Sequence, residues 1–250
     1  MIPTSIDGTD ITGATIDGTD VQEITVDGDV VFTAGADLPT RALKHRYDAD
    51  AITGLSDGNN VTQWNDTAGS NDITAPSGDE PEYKTNIQNG LPVVRFAGSQ
   101  VLNGGSGITG QPDTIFVVYK VNDSGSFQTV LDSNDSSMTN RHNIVINLNS
   151  DEFVFFAGVN LQTGVYNTNY NIHGVIADGS SSEYRINGAL EASGNPGSSG
   201  LQGVQIGVRS DFNFHFDGDV CEVLVYDDRL TTQEIADVEL FLSAKWGISI

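Results

Sequence analysis

Three carboxylates crowd one short stretch, Asp217-Gly-Asp219-Val-Cys-Glu222, and paired carboxylates are the reagents of glycoside hydrolysis. A retaining mechanism needs two of them about 5–5.5 Å apart, one as nucleophile and one as acid/base. Side chains alternate along a regular strand, so Asp217 and Asp219 share a face while Glu222 takes the other, and only a bulge would bring Glu222 round to them. The expectation is therefore a structural role and no catalysis. Other catalytic signatures are absent or accidental. His45, His142, His173 and His215 lack the spacing of a zinc site or a triad. Gly105-Ser-Gly107-Ile-Thr-Gly110 fits a dinucleotide fingerprint, but the apolar run Thr114 to Tyr119 follows it, so no helix N-terminus is there to hold a pyrophosphate. Cys221, the single cysteine, excludes an internal disulfide and sits in an apolar run as an inert thiol.

Binding chemistry has more candidates. Tyr166-Asn167-Thr-Asn169-Tyr170-Asn171 offers two aromatic rings for sugar faces and three amides for hydroxyls. Hard oxygen ligands for calcium are offered by Asp132, Asn134 and Asp135, three in four residues. Asp66, Asn71 and Asp72 form a second oxygen-rich cluster, expected to fix a turn, because Asp and Asn hydrogen-bond their own backbone. His215, set between Phe214 and Phe216, reads as the polar face of a strand shared with Asn213 and Asp217.

These candidates must be positioned by short β segments separated by Gly, Asn and Asp turns. The exception is the close of the chain. Val220 to Tyr226 forms a β-rich run ended by Asp227-Asp228. Thr231 and Glu234 then make a capping box, with Ile235, Val238 and Leu242 at helical spacing, Phe241 and Trp246 nearby, and Gly247 as the stop. This strand and capped helix resemble the end of the concanavalin A-like jelly roll in its laminin-G-like form. The likeness extends upstream through Tyr47-Asp48-Ala49, the segment Val61 to Asp72 with Trp64, Pro81-Glu-Tyr83, Asn89 to Gly98, Asp113 to Lys120 and Tyr184 to Gly188, covering residues 41 to 250. It implies an all-β jelly-roll sandwich with a short C-terminal helix, preceded by a small N-terminal β-repeat segment. The family holds lectins, glycosidases and structural modules alike, so it does not fix the function. Its laminarinase-like glycosidases carry Glu-x-Asp-x-x-Glu, which Asp217, Asp219 and Glu222 nearly match, with the shorter Asp in first place.

The chain of 250 residues carries 34 acidic and 11 basic side chains, a formal charge of -23, with 25 Asp, 9 Glu and only four Lys. Such a surface rejects nucleic acid. At about 1 M salt the Debye length shrinks to about 3 Å and self-repulsion is screened, so a hypersaline setting is expected. Hydrophobic residues at 38% place the chain among folded proteins. No stretch reaches the ~18 apolar residues of a membrane span, and the opening residues lack an export-signal pattern, so membrane insertion is not expected. Ser5-Ile-Asp-Gly, Thr15-Ile-Asp-Gly and Thr25-Val-Asp-Gly recur every ten residues, and Asp-Gly between β-branched residues is a hairpin signal. Residues 1–35 are thus expected to anchor or oligomerise, and residues 36–250 to form the sandwich. A jelly roll without an export signal, in so acidic a chain, points to a surface protein of a tailed virus infecting halophilic archaea. It would contact other virion proteins through residues 1–35, form a homo-oligomer, and meet a host surface glycan or glycoprotein. A purely structural decoration protein and a secreted halophilic glycosidase are the alternatives.

Overall fold

A computed structural model describes residues 37–105, 107–108, 110–122, 127–147 and 152–250 in full; within the first 36 residues it describes the backbone pairing of six short strands. Those six form three hairpins. Ser5–Ile6 pairs with Thr9–Asp10, Thr15–Ile16 with Thr19–Asp20, and Glu23–Val26 with Asp29–Thr33, with an Asp-Gly between the partners each time.

The remainder is a sandwich of two antiparallel sheets. Its strands, in chain order, are β1 (Leu43–Asp48), β2 (Gln63–Trp64), β3 (Ile73–Thr74), β4 (Glu82–Gln88), β5 (Leu91–Ala97), β6 (Leu102–Gly104), β7 (Asp113–Val121) and β8 (Gln128–Asp132). Then follow β9 (Asn143–Asn147), β10 (Glu152–Phe156), β11 (Asn160–Gln162), β12 (Asn171–Ala177), β13 (Ser182–Ile186), β14 (Ala189–Gly194), β15 (Val204–Ile206) and β16 (Asp217–Tyr226), with helix α1 (Thr232–Trp246) last. The first sheet runs β4-β5-β16-β7-β12-β13-β14, and β1 also pairs with β16. The second runs β11-β10-β9-β8-β15-β6-β3-β2. The fold is the expected all-β jelly-roll sandwich with one C-terminal helix.

Between the sheets lies an aromatic core of Tyr47, Trp64, Phe96, Tyr119, Phe153, Phe155, Tyr184 and Phe216. Burying rings of this size supplies most of the driving force. The first sheet is apolar on both faces along β7 and β16 because α1 covers part of its outer side, burying Ile235, Val238, Leu242 and Trp246. Thr231 and Glu234 close the expected capping box, and Gly247 ends the helix in the left-handed region at φ 63°. Glu239, on the same buried side, is held by Arg185 of β13 at 2.8 Å. No helix among the described residues is long and apolar enough to cross a membrane.

Candidate functional site

The bulge on which the carboxylate chemistry depends is present. Tyr119 pairs with Val220 and Val118 with Glu222, leaving Cys221 as the extra residue. Asp219 faces Lys120 and Arg95, Glu222 faces Val118 and Asp48, and both carboxylates thereby lie on the outer face of the first sheet. Each is already committed. Asp219 takes both guanidinium donors of Arg95 at 2.6 and 2.9 Å and the Tyr170 hydroxyl at 2.5 Å. Glu222 takes Arg46 Nε at 2.8 Å, Lys245 Nζ at 2.9 Å and Trp246 Nε1 at 2.9 Å, and Lys245 also reaches Asp48. Burial, with Asp48 alongside, raises the Glu222 carboxyl above its ordinary range. Asp217 accepts from the Asn122 amide. The sequence expectation that Glu222 takes the opposite face is thus corrected by one inserted residue, while the three carboxylates serve as ties between strands, loop and helix. Burial raises the Cys221 thiol well above its usual value, consistent with an unreactive sulfur.

Asp66 organises its turn. Its oxygens accept from the backbone N–H groups of Arg46, Ala68, Gly69 and Asn71 and from His45 Nδ1 at 2.7 Å, while its own N–H donates to Asp72. Burial opposes the charge, but these donors outweigh it and hold the Asp66 carboxyl below its ordinary value. A Cβ on Gly69 would lie 2.6 Å from Lys44 O and 2.7 Å from the Asp66 carboxylate, so the turn requires glycine there. Asn71 donates to the Tyr47 hydroxyl.

The oxygen cluster offered for calcium turns to three separate partners. Asp132 is buried and accepts from Ser133 N, Ser210 N and Ser210 Oγ. Asn134 donates to Gly104 O, and Asp135 accepts from Ser137, Thr139 and Asn140 as a local turn. Among the described residues no group of three or more His, Cys, Asp or Glu side chains is placed to hold a metal.

The two-ring sugar platform is not assembled. Tyr166 turns inward onto Phe153, ring centroids 5.5 Å apart, whereas Tyr170 turns outward to Asp219. Asn167 accepts from Asn169 N and Asn171 Nδ2, and Asn171 is buried against Asn187. These asparagines build the loop. Tyr170 and Asn169 remain at an open cleft with Gln88, Lys120, Thr168 and Ile248.

A better-formed site lies on the outer face of the second sheet. Cross-strand register sets Thr129 beside Val145, Val145 beside Val154, and Asn143 beside Phe156, so these five side chains share that face. They floor a cavity of about 230 Å³, walled by Phe127, Arg141, Asn160, Arg209 and Phe214. Among the described residues, three polar atoms of the floor have no hydrogen-bond partner: Thr129 Oγ1 and both amide atoms of Asn143, on side chains that are 0% exposed. Arg141 Nε is likewise buried without a hydrogen bond. An unmatched buried polar group costs about 1–3 kcal/mol, and the cluster of them around one cavity makes it the candidate binding site.

The wall is held under strain. Phe212 and Phe214 have φ of 59° and 58°, a region costly for bulky side chains at about 1–3 kcal/mol each. The strand expected over Phe212 to Phe216 is therefore a tight loop. Asp211 causes the break, accepting two donors from Arg209 and the Asn213 N–H. Phe216 enters the core, while Phe212 and Phe214 are displayed. Phe214 lies under the Arg209 guanidinium at 4.2 Å and against Phe127 at 5.8 Å, and Arg141 lies over Phe156 at 4.7 Å. The Phe214 carbonyl accepts from Thr129 N, which ties the loop to β8.

No protein-family model and no curated protein matches the chain. Solved structures do. The chain is similar to a Trypanosoma rangeli sialidase mutant displaying trans-sialidase activity, at TM-score 0.59 and 14% identity over 87% of this chain and 35% of that one. T. rangeli sialidase in complex with the inhibitor DANA gives 0.57 and 13% over 92% and 36%, and a GH54 α-L-arabinofuranosidase mutant gives 0.57 and 12% over 74% and 51%. At these identities the likeness defines the class of fold, the jelly-roll β-sandwich. The chain spans about a third of the sialidases it matches.

Proposed function

We propose that this chain is a surface recognition protein that binds a glycan in the cavity on the outer face of the second sheet. The supporting observation is the combination of unpartnered Asn143 and Thr129 with three phenylalanines. Sugar rings present apolar C–H faces to aromatics and hydroxyls to amides, and this pocket offers both within one small volume. Its size, below the ~300–1,000 Å³ of drug-sized pockets, suits a single ring. The committed state of Asp219 and Glu222 favours binding over catalysis.

The same reading sets the module on a larger particle, the virion of a tailed virus from a hypersaline host, where residues 1–35 join it to other virion proteins and to further copies. The three self-closed hairpins and the charge of -23 support it. Deleting residues 1–35 should yield a soluble sandwich that sediments as a monomer, since the core begins at Leu38; unchanged association would refute the anchor.

An array of mono- and oligosaccharides, probed with the full chain in high salt, tests the pocket. Phe214→Ala and Asn143→Ala are each expected to weaken retention at least tenfold, about 1.4 kcal/mol, while Tyr170→Ala in the opposite cleft leaves it intact. Absence of retained sugar, or wild-type retention by both pocket variants, would sink the proposal.

A further inference from the structure

We infer that the sugar taken by this pocket is an acidic one, its carboxylate seated on the Arg141 guanidinium. This rests on the glycan reading above and narrows it to a ligand class.

Acidic side chains outnumber basic ones by 34 to 11, so a cation left without a carboxylate partner is unusual in this chain. Arg41, Arg46, Arg95, Arg185, Arg209 and Arg229 each hydrogen-bond to a carboxylate. Arg141 does not. Its nearest carboxylate oxygen, on Asp132, is 3.8 Å away, and Asp132 is already occupied by Ser133 and Ser210. The Arg141 guanidinium instead lies over Phe156 at 4.7 Å and lines the cavity.

A planar guanidinium without a hydrogen-bonded carboxylate is matched by one through two parallel N–H···O bonds. Burial lowers Arg141's proton affinity against the pull of Asp132, and a second guanidinium lining the same cavity, Arg209, adds to the lowering. Arg209 is held by Asp211 at hydrogen-bond distance, whereas Arg141 has only the longer 3.8 Å ion pair with Asp132. The amide of Asn143 and the hydroxyl of Thr129, both unpartnered on the floor, would take ring hydroxyls beside that carboxylate.

The surrounding field supplies a discriminating signature. A net charge of -23 repels an anion at long range, and salt screens that repulsion before it weakens a buried contact pair. Affinity for the acid should therefore rise with salt at first, where a neutral sugar shows no such rise.

Isothermal titration of the full chain with glucuronate, galacturonate and N-acetylneuraminate, beside glucose, galactose and the methyl esters of the three acids, tests the inference. At least one acid should bind tenfold or more tighter than its ester, with affinity rising from low to molar salt. Arg141→Met, checked for an unchanged melting profile, should bring acid and ester to the same affinity, and Arg141→Lys should restore part of the difference. If neutral sugars or esters bind as tightly as the acids, or the acid preference survives Arg141→Met, the inference is wrong while the glycan reading stands. If none of these sugars binds and the array retains none, both fall.

Discussion

Replacing Glu222 by alanine is expected to cost about 3–5 kcal/mol of stability, the range found when one partner of a buried ionic cluster is removed. Glu222 is the acceptor shared by Arg46 of β1 and by Lys245 and Trp246 of α1, so it joins the helix to the sheet. Truncation leaves the Trp246 N–H buried without an acceptor and leaves Arg46 and Lys245 with Asp48 alone. Glu222→Gln should be milder, about 1–3 kcal/mol, because one amide oxygen can still serve Trp246 and Lys245 while the NH₂ meets Arg46 donor to donor. Urea unfolding gives the magnitudes, and amide exchange should show α1 losing protection before the sheets. A cost below 1 kcal/mol for Glu222→Ala, with α1 still protected, would show that the cluster does not hold the helix.

Acid should weaken the fold through His173, above the range in which an ordinary carboxylate titrates. The ring is fully buried, stacked on Tyr119 at 4.2 Å and bonded to the Tyr184 hydroxyl, and burial pushes its pKa down to about 3. Unfolded histidine titrates near ~6.5. Between those values the unfolded chain binds a proton that the folded chain refuses, so stability falls as pH falls, by about 1.4 kcal/mol per unit. His142 has the opposite sign. Burial works against its charge, but Asp113 at 3.2 Å outweighs that and raises it. Its contribution is thus complete below ~6.5 and is lost only as pH rises through the raised value. From pH 6.5 to 5 the wild-type chain should lose about 1.6 kcal/mol that His173→Phe does not lose. Equal slopes for the two proteins would refute this assignment.

What the sequence made legible was local. The helix announced both its ends, because a capping box and a left-handed glycine act within one turn of chain, and Ile235, Val238, Leu242 and Trp246 lie on the buried side as their spacing requires. The turn at Asp66 was equally readable, since an aspartate satisfying neighbouring N–H groups needs no distant partner. The failures share a cause. One extra residue at Cys221 reverses the face of Glu222, and nothing in the run of valines marks where a bulge will form. Alternation of phenylalanines after Asp211 imitated a strand, but the Arg209 to Asp211 fork and two left-handed phenylalanines made it a loop. The cavity was invisible for a topological reason: Thr129, Asn143, Phe156 and Phe214 are neighbours only once β8, β9, β10 and the loop beyond β15 are aligned. Arg141 itself carried a faint signal, as one of few cations in a chain crowded with carboxylates.

The place of β16 has a consequence for how the chain is made. It is the last strand in order, yet it lies inside the first sheet, with β7 along one side and β5 and β1 sharing the other. Until residues 217–226 emerge from the ribosome, those three strands have bare backbone edges facing an empty slot, the kind of edge that recruits other chains. Closing of this sheet thus waits for residues 217–226, and the acidic surface, by keeping nascent copies apart, protects the gap while it stays open.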